Sequence, residues 1–195
     1  MNSITFYITL YDLIFLIIIS IGLTFSLLLW FTPKNNCLAN RFLALALGIA
    51  ILCLTQIFCI DIQLETYFPH WSWLPLQFSL AIGPLIFFYV LKITRPEYKF
   101  RLRDLLHFSP LLAELSIQVL EINESIKTGA ATYHTLIFQQ LNPALQLATF
   151  ISVGTYLYAS HTLIKRFYRQ LKFNEGDRYR YGLQWLHNLL MSFGQ

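Results

Sequence analysis

The sequence predicts an all-α protein, a polytopic transmembrane helix bundle that forms one domain over residues 1–195. Apolar residues make up 56% of the chain and charged residues only 12%, whereas a soluble domain carries about 25% charged residues. The apolar residues occur in blocks of roughly 20, the length that a helix needs to cross a bilayer. Basic residues are concentrated in alternate connections between these blocks. These observations predict five full spans and a truncated sixth.

The first three predicted spans cover about residues 10–31, 42–60 and 74–91. The third span contains the pair Gly83 and Pro84 in its middle. Proline removes one backbone hydrogen bond of a helix and clashes with the preceding turn. The pair therefore predicts a helix kink within the third span.

The last three predicted spans cover about residues 105–122, 141–164 and 183–195. The final stretch would reach about 20 Å as a helix, whereas the hydrocarbon core of a bilayer is about 30 Å thick. We therefore expect the sixth span to be partial, and the chain to end within it.

The basic residues indicate an orientation. The connections that follow the five full spans contain 2, 0, 5, 1 and 6 Lys or Arg residues, which accounts for all 14. Positive charge in short loops is retained on the cytoplasmic side. We therefore expect the N-terminus outside and the basic connections on the cytoplasmic side. The third connection is a cytoplasmic basic hairpin that contains Lys92, Arg95, Lys99, Arg101 and Arg103.

The candidate binding residues are polar side chains inside the predicted spans. Glu114 lies near the middle of the fourth span, and Gln118 and Glu121 follow on the same helix face. An ionisable residue inside a membrane is a functional candidate. If the helix faces converge, these three side chains form a polar intramembrane pocket with Gln56, Gln77 and Gln146. The alternative is that the same side chains form hydrogen bonds between helices.

The chain carries no recognisable catalytic or metal-binding signature. It lacks a phosphate-binding glycine loop and an HExxH sequence, and its histidines and three cysteines lack metal-ligand spacing. We therefore expect no catalytic residues, no metal and no cofactor. The basic and aromatic run over residues 163–187 starts at the cytoplasmic end of a span, where anionic lipid explains it best. The bilayer is the expected partner, and this chain itself is expected to bind no nucleic acid.

Three stretches carry a resemblance to a known family: "NRFLALAL", "GPLIFFYVLKITRPEYKFRLRDLLHFSPLL" and "RFYRQLKFNEGDRYRYGLQWLHNLL". Over about residues 10–195 the sequence resembles the N-terminal multi-span membrane region of bacterial membrane-anchored AraC-type helix-turn-helix transcriptional regulators. The resemblance implies a multi-pass protein of the bacterial cytoplasmic (inner) membrane, with roughly seven spans followed by a cytoplasmic DNA-binding domain. The sequence contains no helix-turn-helix, so DNA binding is not carried over to any of its residues.

The resemblance implies a membrane-embedded signal-sensing region of a transcription regulator, truncated before the DNA-binding domain. An unknown small molecule or envelope signal would be its stimulus, and a homodimer is compatible with this interpretation. The alternatives are a small multi-pass transporter or channel with Glu114 and Gln118 along its pathway, or a non-functional gene fragment. Transporters often contain inverted repeats and two broken helices, whereas this sequence has one Gly-Pro break and no evident repeat.

Overall fold

The structure is a computed structural model that describes residues 9–32, 37–64, 67, 68, 71, 74, 76–129 and 136–173. Within these residues the chain is helical and contains no strand. The five α-helices are α1 (Leu10–Phe31), α2 (Cys37–Asp61), α3 (Ile82–Thr94), α4 (Ser109–Thr128) and α5 (Leu136–Phe173). Short 3₁₀ helices precede α3 at Ser79–Ala81 and α4 at Leu102–Phe108.

The all-α class is confirmed, whereas the prediction of five full spans is wrong. In the described part of the chain, three helical segments are long and apolar enough to cross a membrane: Leu10–Phe31, Cys37–Asp61 and Leu102–Thr128. The last of these combines a 3₁₀ helix with α4. The sixth span, predicted at 183–195, lies outside the described residues.

The third and fifth predicted spans are not among these three segments, for different reasons. The helical segment Ser79–Thr94 begins five residues after the predicted start at Leu74. Its length of about 25 Å is less than the hydrocarbon thickness of about 30 Å. By contrast, α5 contains the predicted fifth span and is long enough at 38 residues. It is not among the helices that are apolar enough to span.

Helix α3 lies at the centre of the bundle, between α2 and α5. Its residues Tyr89 and Val90 pack with Ala39 of α2 and Ile164 of α5 in one buried cluster. The start of the α3 segment is also covered, because Ala81 and Leu85 pack in a second buried cluster with Ala46 of α2.

Gly83 and Pro84 lie in the first turn of α3 rather than in the middle of a span. The first four amide groups of a helix have no partner within the helix, so a proline there removes no helical hydrogen bond. The pair is therefore compatible with the start of a helix, and the predicted kink inside a longer helix is not formed.

Small residues bring α1 and α2 together. Ser26 of α1 donates a hydrogen bond to the Ala44 carbonyl of α2 at 2.9 Å. A Cβ atom added to Gly22 would lie 3.0 Å from Cγ1 of Ile51. Gly22 and Ser26 are four residues apart, as are Ala44 and Gly48. This spacing is typical of closely packed membrane helices.

We expect the substitution Gly22→Leu to separate α1 from α2, because the added side chain would occupy the space of Ile51. The measurement is the disulfide yield between Ser26→Cys and Gly48→Cys in a background without the native cysteines. A Cβ at Gly48 would lie 3.5 Å from the Ser26 hydroxyl, so the double-cysteine variant that retains Gly22 should cross-link efficiently. The control is Gly154→Leu, because no atom lies within 4 Å of a Cβ there. An unchanged yield in Gly22→Leu would contradict this packing.

Candidate functional site

The buried carboxylate of Glu114 in α4 binds the start of the helical segment that contains α3. Its Oε1 atom accepts hydrogen bonds from the Ser79 amide at 3.0 Å and from the Ser79 hydroxyl at 2.7 Å. Its Oε2 atom accepts a hydrogen bond from the Leu80 amide at 3.1 Å. Glu114 is only 1% exposed. We call this arrangement the α3 capping site.

Gln118 extends the α3 capping site by one helical turn. Its side-chain oxygen accepts a hydrogen bond from the Gln77 amide at 3.4 Å, and its side-chain nitrogen donates to the Gln77 carbonyl. The Ser79 hydroxyl also lies 2.9 Å from the hydroxyl of Thr149 in α5. The site therefore joins α4, the start of the α3 segment and α5.

The chemistry of a helix start explains why a carboxylate lies there. The first amides of a helix lack intrahelical partners, and the helix dipole makes this end positive. An unsatisfied amide inside a membrane costs several kcal/mol. The local N-cap residue, Phe78, provides no side-chain hydrogen bond. Glu114 supplies the missing acceptor from another helix, which allows the helix to begin inside the bundle.

The structure brings together three of the six predicted pocket residues, namely Glu114, Gln118 and Gln77, the last through its backbone. Glu121 is also buried, on the same face of α4, but does not contact the capping site through a described hydrogen bond. Gln56 is half-buried in α2, and Gln146 is exposed on α5.

Two members of the capping site were missed by the sequence analysis, Ser79 and Thr149. Serine is common at helix N-caps, and Ser79 lies one residue after the N-cap Phe78, so a helix start near this position could have been predicted. Thr149 gives no such signal, because its hydroxyl also donates to the Leu145 carbonyl at 2.9 Å, as threonines in helices commonly do.

The basic hairpin is an ordered connection whose backbone is held by its own side chains. Lys92 donates hydrogen bonds to the carbonyl of Pro96 and, at 2.8 Å, to that of Tyr98. Asp104 accepts from the Tyr98 hydroxyl and from the Arg101 amide, both at 2.7 Å. The hydrogen bond to Asp104 raises the pKa of the Tyr98 phenol. The remaining cationic side chains of the hairpin are exposed: Arg95, Lys99, Arg101 and Arg103.

An aromatic cluster fixes the hairpin to the bundle. The His107 ring lies 3.0 Å, through Nδ1, from the hydroxyl of Tyr156 in α5. The centroid of the same ring lies 5.6 Å from that of Phe88 in α3. Phe88 also stacks on Phe108, with 5.8 Å between ring centroids. The hairpin therefore cannot move as a free loop, because its C-terminal end is packed against both α3 and α5.

The described residues include no group of three or more His, Cys, Asp or Glu side chains that could hold a metal ion. The arrangement around Glu114 offers hydrogen-bond acceptors to a helix start, and its hydroxyl–carboxylate pair, Ser79 with Glu114, is part of that same contact. Its chemical capacity is to hold two helices together through a buried polar contact. Comparisons with protein-family models, curated proteins and solved structures find no match to this chain.

Proposed function

We propose that this chain is the membrane-embedded, signal-sensing region of a bacterial AraC-type transcriptional regulator. The observation that carries the proposal is the α3 capping site, where Glu114 of α4 holds the start of the α3 segment. A sensing region needs an element with two alternative arrangements whose balance a stimulus can change. A helix start held by the side chain of another helix is such an element.

In this proposal the capping site influences the basic hairpin through α3. The α3 segment begins at Ser79, beside Glu114, and α3 ends at Thr94, within the basic hairpin. A small molecule or envelope signal that favours release of Ser79 from Glu114 would loosen the first turn of this segment. Because Lys92 fixes the hairpin backbone to the end of α3, a shift of α3 would move the hairpin.

Helix α5 provides a second connection between the capping site and a basic segment of the chain. At 38 residues it extends about 57 Å, roughly twice the hydrocarbon thickness of about 30 Å. Its later part contains Lys165, Arg166 and Arg169. Thr149 of α5 contacts the capping site, and Ile164 of α5 packs against Tyr89 and Val90 of α3. A change in α3 would therefore alter the helix that leads to the following part of the chain.

The proposed topology has the N-terminus outside and the basic hairpin inside the cytoplasmic membrane, as the alternation of basic residues predicts. In this proposal the third crossing uses the short α3 segment together with the non-helical residues that precede it. The test uses single cysteines at Lys99→Cys and Lys127→Cys in a background without the native cysteines. Both native side chains are exposed. In spheroplasts, a membrane-impermeant maleimide should label the cysteine at position 127 and spare the one at position 99. The opposite labelling pattern would reverse the topology.

The assignment to a regulator is tested by reading the gene beyond the codon for Gln195 in all three frames. We expect further spans followed by a helix-turn-helix domain. A stop codon with no helix-turn-helix in any frame would argue against the regulator, and in favour of a transporter or a gene fragment.

The contacts at the capping site favour the sensing region over a transporter, because Glu114 and Gln118 use their polar atoms within the bundle rather than along an open pathway.

A further inference from the structure

An apolar groove of ≈ 440 Å³ runs between α1 and α2. Its walls include Leu23, Leu27 and Trp30 of α1 and Leu45, Gly48 and Leu52 of α2. The hydroxyl of Ser26, which also lines the groove, is already engaged with the Ala44 carbonyl. The lining therefore suits hydrocarbon rather than a polar ligand.

A cation lies at one end of this groove. The guanidinium carbon of Arg41 is 5.7 Å from the ring centroid of Trp30, and both side chains are exposed. Arg41 precedes Leu45 by four residues, Gly48 by seven and Leu52 by eleven, so it continues the groove-lining face of α2. The groove thus has an apolar body and a positively charged mouth.

The mouth lies where α1 ends and α2 begins. Trp30 is the residue before the last of α1, and Arg41 follows the first residue of α2 by four positions. The ends of membrane-spanning helices lie at the bilayer surface, where tryptophan is enriched and the guanidinium of arginine reaches the headgroups. The polarity of the groove along its length therefore matches that of a lipid in the same leaflet.

We propose that this groove binds a phospholipid with an anionic headgroup. One acyl chain lies along the apolar lining, and the phosphate oxygens accept hydrogen bonds from Arg41. A planar guanidinium can donate two parallel hydrogen bonds to a phosphate, which makes arginine a good partner for this group. A zwitterionic phospholipid also has a phosphate, but its own cation offsets the charge that attracts Arg41. The proposal does not depend on the sensing function or on the assigned topology.

The test is native mass spectrometry of the full chain, delipidated in detergent and then supplied with phosphatidylglycerol or phosphatidylcholine. The parent should retain one phosphatidylglycerol in preference to phosphatidylcholine. Arg41→Gln should lower retained phosphatidylglycerol severalfold and remove the preference, and Arg41→Lys should restore part of it. The matched control is Arg95→Gln, because Arg95 is an exposed cation of the basic hairpin and its loss should have no effect on this lipid.

A second variant tests the apolar part of the site without changing charge. Leu45→Trp places a larger side chain in the groove and should lower the retention of both lipids, while its melting temperature stays close to that of the parent. Equal lipid retention by Arg41→Gln and Arg95→Gln would overturn the proposal. So would parental retention in Leu45→Trp, or a dimer that forms through this groove and carries no lipid.

Discussion

Replacing Glu114 by alanine is expected to destabilise the protein by about 3 kcal/mol or more. The substitution leaves three donors without their acceptor: the amides of Ser79 and Leu80 and the Ser79 hydroxyl. Each buried donor that loses its partner costs about 1–3 kcal/mol. The hydroxyl retains Thr149 as a neighbour, so the two amides account for most of the loss.

Glu114→Gln should lose less stability than Glu114→Ala, because the amide oxygen of glutamine can still accept a hydrogen bond. It should remain less stable than the parent, because the amide NH₂ group then faces a donor. The measurement is thermal unfolding of each variant in the same detergent or nanodisc. Glu97→Gln is the control for the loss of a carboxylate, since Glu97 is exposed in the connection between α3 and α4. If the melting temperature of Glu114→Ala matches that of Glu97→Gln, the capping site does not stabilise the fold.

The effect of Glu114 illustrates what the sequence could and could not predict. Hydropathy placed Glu114 near mid-membrane and on the same face as Gln118, and both are buried on one face of α4. The partners of these residues lie 34 to 41 residues earlier in the chain. No local pattern identifies such a partner, because the contact depends on how α4 packs beside the start of the α3 segment.

The helix boundaries also separate what the sequence can predict from what depends on packing. The predicted first span, 10–31, coincides with α1, because an uninterrupted apolar block specifies a membrane helix by itself. The third span was predicted too long, because hydropathy counts apolar residues whether or not their backbone is helical. Residues 76–78 have apolar or amide side chains, but their backbone is not helical. The start at Ser79 follows from the acceptor that Glu114 supplies, which hydropathy does not detect.

The position of Gly83 was also predicted to matter, but for a different reason. A Gly-Pro pair indicates a kink only when a helix continues on both sides of it. Since the segment begins at Ser79 and α3 at Ile82, proline falls in the first turn, where it is tolerated. The glycine instead permits a close approach to α5, which sequence alone does not place beside it.

Gly83→Ala is expected to destabilise the protein by about 1–3 kcal/mol through overpacking between α3 and α5. A Cβ there would lie 2.8 Å from Cδ2 of the Tyr156 ring and 3.3 Å from the Ser152 hydroxyl. The ring cannot move freely, because its hydroxyl lies in hydrogen-bond distance of His107. A shift that relieves the clash would therefore also disturb the contact that fixes the end of the basic hairpin.

The matched control is Gly154→Ala in α5, where no atom lies within 4 Å of the added Cβ. Alanine is favoured over glycine in a helix by up to about 1 kcal/mol, so the control should be neutral or slightly stabilised. Thermal unfolding of both variants, with Tyr156→Phe in each background, separates the clash from the loss of the His107 contact. In the Gly83→Ala background, Tyr156→Phe should cost less than in the parent, because the displaced ring has already lost part of that contact. Equal stability of the two alanine variants would mean that α3 and α5 do not approach as closely as the structure places them.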